Sequence, residues 1–179
     1  DLTAVIDYVC DQQHPLLIRC CNGSRNLGVS PTGDAARPEG RGSSVVCFIK
    51  HTNACGTAVH ADPIEAYRLA YLGDPNAAMG GVLAVNFEVT RPFAEAVMET
   101  YQRWGKAAGA GGFFVEVWLA PSFDDEAVRL IRGEIEPTAT NPNPAKKEWG
   151  KRVRLLGVPG LATPPDPNEM DFKRIAGGM

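Results

Sequence analysis

Runs of mostly apolar residues mark the strands along this chain. They span residues 45–49, 81–87 and 113–119, and shorter runs follow at residues 153–158 and 172–175. A strand that is apolar at nearly every position is typical of a sheet that is covered on both faces. The pattern therefore predicts buried strands.

Apolar residues at helical spacing separate these runs. Four helices are predicted, over residues 1–13, 62–72, 91–104 and 122–132. Asp62 and Pro63 suit an N-cap and a first helical turn. Ser122 is the predicted N-cap of the last helix, whose first turn carries acidic residues near the positive end of the helix dipole. Each predicted helix thus has an apolar face that can pack on the sheet.

Strands that alternate with helices predict the α/β class, built from βαβ units. In such sheets, binding groups collect just beyond the carboxyl ends of the strands. We therefore expect Lys50, His51, Asn86, Ala120 and Pro121 to lie around one crevice.

Composition and charge narrow the functional classes. Apolar residues make up 44% of the 179 residues and the formal net charge is −3, which gives no overall attraction to nucleic acid or to an anionic membrane. No apolar run reaches the roughly 18 residues of a membrane span. We expect one cytoplasmic domain over residues 1–179, with surface loops at 22–43 and 133–150, as part of a longer chain.

The cysteine pattern argues against a structural metal site and against disulfide bonds. The five cysteines are odd in number and form no Cys-x-x-Cys pair, so neither a disulfide framework nor a zinc site is indicated. Cys55 has a thiol nucleophile's chemistry, but no spaced histidine partner is evident. We expect reduced cysteines and no metal ligands.

Lys50 and His51 stand where the first apolar strand gives way to polar residues. A neutral imidazole accepts a proton from an attacking amine, and a neighbouring ammonium group stabilises developing negative charge. The pair therefore suits group transfer onto nitrogen. The alternative is that both are ordinary polar residues at the start of a loop.

Other polar positions also have two interpretations. Asn53 and Gly56 bind a ligand or simply shape the loop after His51. Gly80 makes a tight turn or presents its backbone amide to a ligand. Glu116 interrupts an apolar strand, so its carboxylate faces either a solvated edge or the binding cleft.

Five segments, in this order, resemble one enzyme family. They are FIKHTNACG, DPIEAYRLAYLGDP, MGGVLAVNFEVT, FFVEVWLAPSFDDEA, and VRLLGVPG followed by FKRIAGG, and they cover residues 45–178. They resemble the AICAR transformylase part of the bifunctional purine biosynthesis enzymes that also carry IMP cyclohydrolase. The match extends over about three quarters of the chain and corresponds to the first of two similar halves.

The resemblance implies a three-layer α/β/α fold, cytidine-deaminase-like but without zinc. It also implies transfer of a formyl group from 10-formyltetrahydrofolate to the 5-amino group of AICAR by a homodimer. His51 would accept the proton of the attacking amine, and Lys50 would stabilise the transition state. Gly80 and Glu116 would contact the nucleotide, and Asn53 would contribute from a loop that usually reads Asn-Pro-Cys-Gly in this family.

Some family features are missing from this sequence. Ala54 replaces the loop proline, residues 22–43 resemble an insertion, and the upstream Arg-Tyr-Gly motif and the second half are absent. The main hypothesis is therefore one part of a formyltransferase. The alternative is a non-catalytic module that binds the nucleotide or supports dimer assembly.

Overall fold

The computed structural model describes residues 44–51, 53–137 and 148–162. Five strands form its centre: β1 (Ser44–Lys50), β2 (Asn53–His60), β3 (Gly81–Val85), β4 (Val115–Ala120) and β5 (Arg154–Gly157). They make one sheet in the order β2-β1-β3-β4-β5. The strands predicted near residues 45, 81, 113 and 153 are confirmed, although β4 begins at Val115 rather than at residue 113.

The direction of the strands divides the sheet into two parts. β1 is antiparallel to both β2 and β3, whereas β3, β4 and β5 are parallel. The βαβ prediction is therefore confirmed for β3 to β5 and wrong for the start of the sheet. The physical reason is a tight hairpin, in which Lys50 pairs directly with Asn53 and the chain returns along β1.

Strand β2 replaces a predicted loop. Its sequence NACGTAVH mixes small and polar residues, so it lacks the continuous apolar run that reveals β1. Seven paired positions along β1 nevertheless hold it in the sheet. The expectation that Asn53 and Gly56 lie in a loop is therefore wrong.

In the described part of the chain, four α-helices accompany the sheet: α1 (Pro63–Gly73), α2 (Pro75–Ala78), α3 (Arg91–Met98) and α4 (Asp125–Arg132). The predicted N-cap of α1 is confirmed, because the Asp62 carboxylate accepts hydrogen bonds from the amides of Ile64 and Glu65, at 2.8 and 3.4 Å. The predicted Ser122 cap of α4 is wrong. Asp124 caps that helix by accepting from the Glu126 amide.

The predicted helix over residues 91–104 is interrupted. α3 ends at Met98, and a π-helical turn follows over Tyr101–Gly105. The amide of Lys106 donates to the carbonyl of Tyr101 at 2.8 Å, five residues back. Such a turn widens the helix locally and is frequent at functional sites.

The helices pack on one face of the sheet. Their apolar residues join Val46, Phe48, Leu83 and Trp118 in one buried cluster. A second cluster lies on the other face and includes Val45, Cys47, Ile49, Leu119 and, from a 3₁₀ turn at Pro159–Ala162, Leu161. The α/β class is confirmed for the described residues, with the sheet and one helical layer in place. The third layer stays a prediction.

Several predicted elements lie outside the described residues. They are the helix over residues 1–13, the loop over residues 22–43 and the strand over residues 172–175. The second predicted loop is described only at its ends, and there a 3₁₀ turn, Glu148–Lys151, includes the buried Gly150. Among the described residues, no helix is long and apolar enough to cross a membrane.

Candidate functional site

Lys50 is the last residue of β1 and is half-buried. Its ammonium group donates a hydrogen bond of 2.7 Å to the main-chain carbonyl of Met79, in the segment that leads into β3. A hydrogen bond to a charged donor is stronger than a neutral one. The cation is therefore held at this end of the sheet, beside the start of β3.

His51 occupies the hairpin turn directly after Lys50. Its side chain is exposed, and its φ of 54° makes it the single non-glycine residue with positive φ among the described residues. Histidine adopts this left-handed conformation more readily than most residues, but still at some cost in free energy. The turn therefore presents an imidazole to solvent from a conformation that glycine or asparagine would adopt more easily.

Gly80 also has a left-handed backbone, with φ of 71°. Its amide donates a 2.8 Å hydrogen bond to the carbonyl of Phe114, and a Cβ atom at this position would lie 3.1 Å from the Phe114 ring. These features are those of a tight turn, and the role of Gly80 toward a ligand stays a prediction. The Gly80 amide thus has a partner within the protein, and the absence of a side chain at Gly80 makes room for the Phe114 ring.

Glu116 lies at a bulge in β4. Gly81 pairs with Val115 and Val82 pairs with Val117, so Glu116 is the extra residue between two paired positions. Its side chain is exposed. A bulge redirects side chains and often lies near active sites, and here it avoids burying a carboxylate in the sheet.

Four predicted site residues thus meet at one end of the sheet. Lys50 lies at the end of β1, Gly80 before β3, and Glu116 near the start of β4, with His51 in the adjoining turn. This end is not the one that the carboxyl-end rule predicted. Because β1 is antiparallel to β3, its carboxyl end lies beside the amino ends of β3 and β4.

The other residues expected at the crevice lie at the opposite end. Asn86 follows β3, and its side-chain oxygen accepts a 2.7 Å hydrogen bond from the amide of Val45 near the start of β1. Ala120 ends β4, and Pro121 follows it. The prediction that Asn86, Ala120 and Pro121 share a crevice with Lys50 is therefore wrong.

The first residues of β2 have clear structural roles. Gly56 packs against the carbonyl group of Ala70 in α1, where a Cβ atom would lie only 3.1 Å from the carbonyl carbon and still closer to the oxygen. The Cys55 thiol contacts the carbonyl of Phe48, and burial raises the pKa of this thiol. A thiol with a raised pKa is a poor nucleophile at neutral pH. The backbone of Asn53 pairs with Lys50, which keeps Asn53 beside Lys50 and His51.

An aromatic cleft next to this end was not predicted from the sequence. It has a volume of about 520 Å³. The residues that line it are Met98, Tyr101, Gln102, Gly111, Gly112, Phe113, Phe114, Glu148, Trp149 and Arg152. These come from three segments that are distant in sequence. The closest sequence signal is the glycine-rich stretch before Phe113.

A metal centre finds no support in the described part of the chain. Within residues 44–51, 53–137 and 148–162, no group of three or more His, Cys, Asp or Glu side chains is arranged to hold a metal ion. The side chains placed at this end of the sheet include an ammonium group, an imidazole and a carboxylate.

Comparison with known proteins assigns the sequence to a family. The family model described as "AICARFT/IMPCHase bienzyme" matches residues 35–179. Two curated relatives are named bifunctional purine biosynthesis protein PurH, from Polynucleobacter necessarius subsp. necessarius (strain STIR1) and Polynucleobacter asymbioticus. Each is 34% identical over 139 residues, which is 77% of this chain and 20% of the relative. The chain therefore spans about a fifth of the length of these relatives.

Proposed function

Because the chain belongs to the AICARFT/IMPCHase bienzyme family, we propose that it forms part of a formyltransferase of de novo purine biosynthesis. The reaction moves a formyl group from 10-formyltetrahydrofolate to the 5-amino group of AICAR, on the way to IMP. The observation that carries the proposal is the meeting of Lys50, His51, Gly80 and Glu116 at one end of the sheet.

His51 is the proposed general base. The amine nitrogen of AICAR attacks the formyl carbon, a C–N bond forms, and the imidazole accepts the proton that the nitrogen loses. The exposed hairpin turn supports this role because the ring can reach a substrate that lies outside the sheet. The left-handed backbone at His51 supports it too, since strained residues concentrate at functional sites.

Lys50 is the proposed electrostatic group. The formyl oxygen gains negative charge as the tetrahedral intermediate forms, and an ammonium group held nearby stabilises that charge. The hydrogen bond to the Met79 carbonyl fixes the cation before the substrate arrives. When the intermediate collapses, the C–N bond to the folate nitrogen breaks, and that nitrogen takes up a proton as it leaves.

Glu116, Gly80 and Asn53 are the proposed AICAR-binding residues. The Glu116 carboxylate accepts hydrogen bonds from the N–H or O–H groups of the nucleotide. Neighbouring strands lie about 4.8 Å apart, so Lys50 on β1 and Glu116 on β4, two strands away, are about 10 Å apart across the sheet. That separation accommodates a five-membered ring between them. Glycine at position 80 supports the turn beside this ring, because a larger residue would press on the Phe114 side chain.

The rest of the proposed site comes from outside this segment. The chain spans only 20% of the relatives, and both His51 and Glu116 are exposed. We propose a cytoplasmic homodimer in which other parts of the full-length protein, or of a second subunit, cover this end and supply most folate contacts.

The test replaces His51 in the full-length protein. His51→Asn keeps a residue that tolerates the left-handed turn but removes the base, so we expect a folded protein whose formylation of AICAR falls by 100-fold or more, in the range typical of a lost general base. His60→Asn is the matched control, because His60 is exposed at the far end of β2. Initial rates are measured from the absorbance of tetrahydrofolate.

Near-normal turnover of His51→Asn would sink the assignment of the base. If the wild-type full-length protein binds AICAR but releases no tetrahydrofolate, the chain is a binding or assembly module instead. Calorimetric titration of AICAR separates these outcomes, since Glu116→Gln is expected to weaken nucleotide binding in either case.

A further inference from the structure

The aromatic cleft has the size and composition of a small-molecule site. Its volume of about 520 Å³ falls in the usual range of ligand pockets. One wall is the π-helical turn, the second is the segment over residues 111–114, and the third is the turn over residues 148–152. None of the residues assigned to the formyl-transfer site lines it.

Four rings line the cleft. Phe113 and Trp149 meet edge to face, with centroids 6.0 Å apart and an angle of 87° between planes. Tyr101 and Phe114 complete the set, and Phe114 is 37% exposed. Aromatic side chains bind flat rings by stacking or edge contacts, which add to the effect of the buried area. The walls therefore fit a planar ring.

Polar groups at the rim define the rest of the ligand. Arg152 is exposed and forms no ion pair with any residue in the described ranges. Its guanidinium fork matches a carboxylate or a phosphate. Glu148 accepts hydrogen bonds and Gln102 both donates and accepts them, so they suit ring N–H and amino groups.

We propose that this cleft, lined by Tyr101, Phe113, Phe114, Trp149 and Arg152, binds a planar heteroaromatic ligand that carries an anionic group. The ring lies against the aromatic walls, and its anionic group pairs with Arg152. Carboxylates and phosphates share this chemistry, and the experiment separates them.

Phe114 joins the cleft to the formyl-transfer end of the sheet. Its ring lines the cleft, while its carbonyl accepts the Gly80 amide and its ring would contact a Cβ atom at Gly80. Met79, the neighbour of Gly80, in turn holds the Lys50 ammonium group. A ligand in the cleft thus touches a residue that supports the position of Lys50.

The experiment measures binding of two probes to the full-length protein by calorimetry. AMP presents a phosphate and folic acid presents carboxylates, each beside a flat heteroaromatic ring. At least one probe is expected to bind, and Arg152→Gln is expected to lower its affinity about tenfold or more. This is the effect of losing a hydrogen bond to a charged group, which contributes about 1.5–3 kcal/mol. Arg154→Gln is the matched control, because Arg154 is also exposed but lies outside the cleft.

Glu116→Gln separates this proposal from the proposed function. Binding in the cleft is expected to survive Glu116→Gln, whereas binding at the formyl-transfer end is expected to weaken. The proposal is overturned if neither probe shows a site that depends on Arg152, or if Glu116→Gln removes the same site. Failure of formylation with intact Arg152-dependent binding would count against the proposed function alone.

Discussion

Gly56 provides a direct test of how the hairpin is held against α1. The residue was a candidate for close approach to a ligand, but the structure surrounds it with backbone of its own chain. A Cβ atom there would lie 3.1 Å from the carbonyl carbon of Ala70, and the carbonyl oxygen is closer still. Gly56→Ala therefore forces α1 and β2 apart.

The size of the effect follows from which atoms must move. The Ala70 oxygen is the nearest atom and lies far inside the ordinary contact range of 3.4–4 Å, so the carbonyl has to retreat by more than about 1 Å. Overpacking of this kind costs about 1–3 kcal/mol, and because the obstacle is helix backbone we expect the upper part of that range. Alanine at position 56 also lowers the conformational entropy of the unfolded chain, which offsets about 0.4–1 kcal/mol of this packing cost. The expected net loss is about 2 kcal/mol.

Thermal unfolding followed by circular dichroism measures this loss. For a chain of this size, about 2 kcal/mol lowers Tm by about 4–8 °C. Gly111→Ala is the control, because a Cβ atom at Gly111 meets nothing within 4 Å, and its Tm is expected to stay within about 1 °C of the wild type. A Gly56→Ala protein with the wild-type Tm would refute the packing argument.

Two further predictions concern buried tyrosine and cysteine. Burial raises the pKa of Tyr67 well above its usual value, so the Tyr67 hydroxyl loses its proton at a lower pH in the unfolded chain than in the folded protein. The free energy of unfolding therefore falls as pH rises above about 10, by up to about 1.4 kcal/mol per pH unit. Tyr67→Phe removes that loss together with the 2.6 Å hydrogen bond to Thr100. The Tyr67→Phe protein is therefore expected to be less stable than the wild type by about 1 kcal/mol at pH 8, and this difference is expected to shrink above pH 10. Urea titrations at both pH values measure the difference, and a constant value would contradict the prediction. Burial also raises the pKa of Cys55. Iodoacetamide at pH 8 is therefore expected to alkylate Cys55 more slowly than it alkylates glutathione, and equal rates would contradict the prediction.

The sequence was sufficient for elements whose pattern is local. β1 and β3 appear as continuous apolar runs because both faces of each strand are buried. α1 was located from Asp62 and Pro63, since the cap and the first turn depend only on neighbouring residues. The similar signal at Ser122 failed because Asp124, two residues later, competes for the same cap.

Features that depend on distant contacts were missed. β2 is stabilised by pairing with β1 and by the close approach of α1 at Gly56, and neither interaction leaves an apolar repeat in NACGTAVH. The π-helical turn includes Gly105, where a Cβ atom would lie 2.7 Å from the Tyr71 hydroxyl, and this contact between distant residues leaves no local signature. The aromatic cleft requires three separate segments to meet.

The missed hairpin also explains why Lys50 lies at a different end of the sheet from the other residues that the rule selected. The carboxyl-end rule assumes parallel strands. Lys50 does lie at the carboxyl end of its own strand, β1, but not at the carboxyl ends of β3 and β4. The hairpin reverses β1 relative to β3, so the same residue lies beside the amino ends of β3 and β4. The partners of Lys50 are therefore the segments that enter those strands, Met79 with Gly80 and Phe114 with Glu116. At this end, Lys50 and the exposed Glu116 lie on the two strands that flank β3, and the Gly80 amide before β3 is bonded to the Phe114 carbonyl.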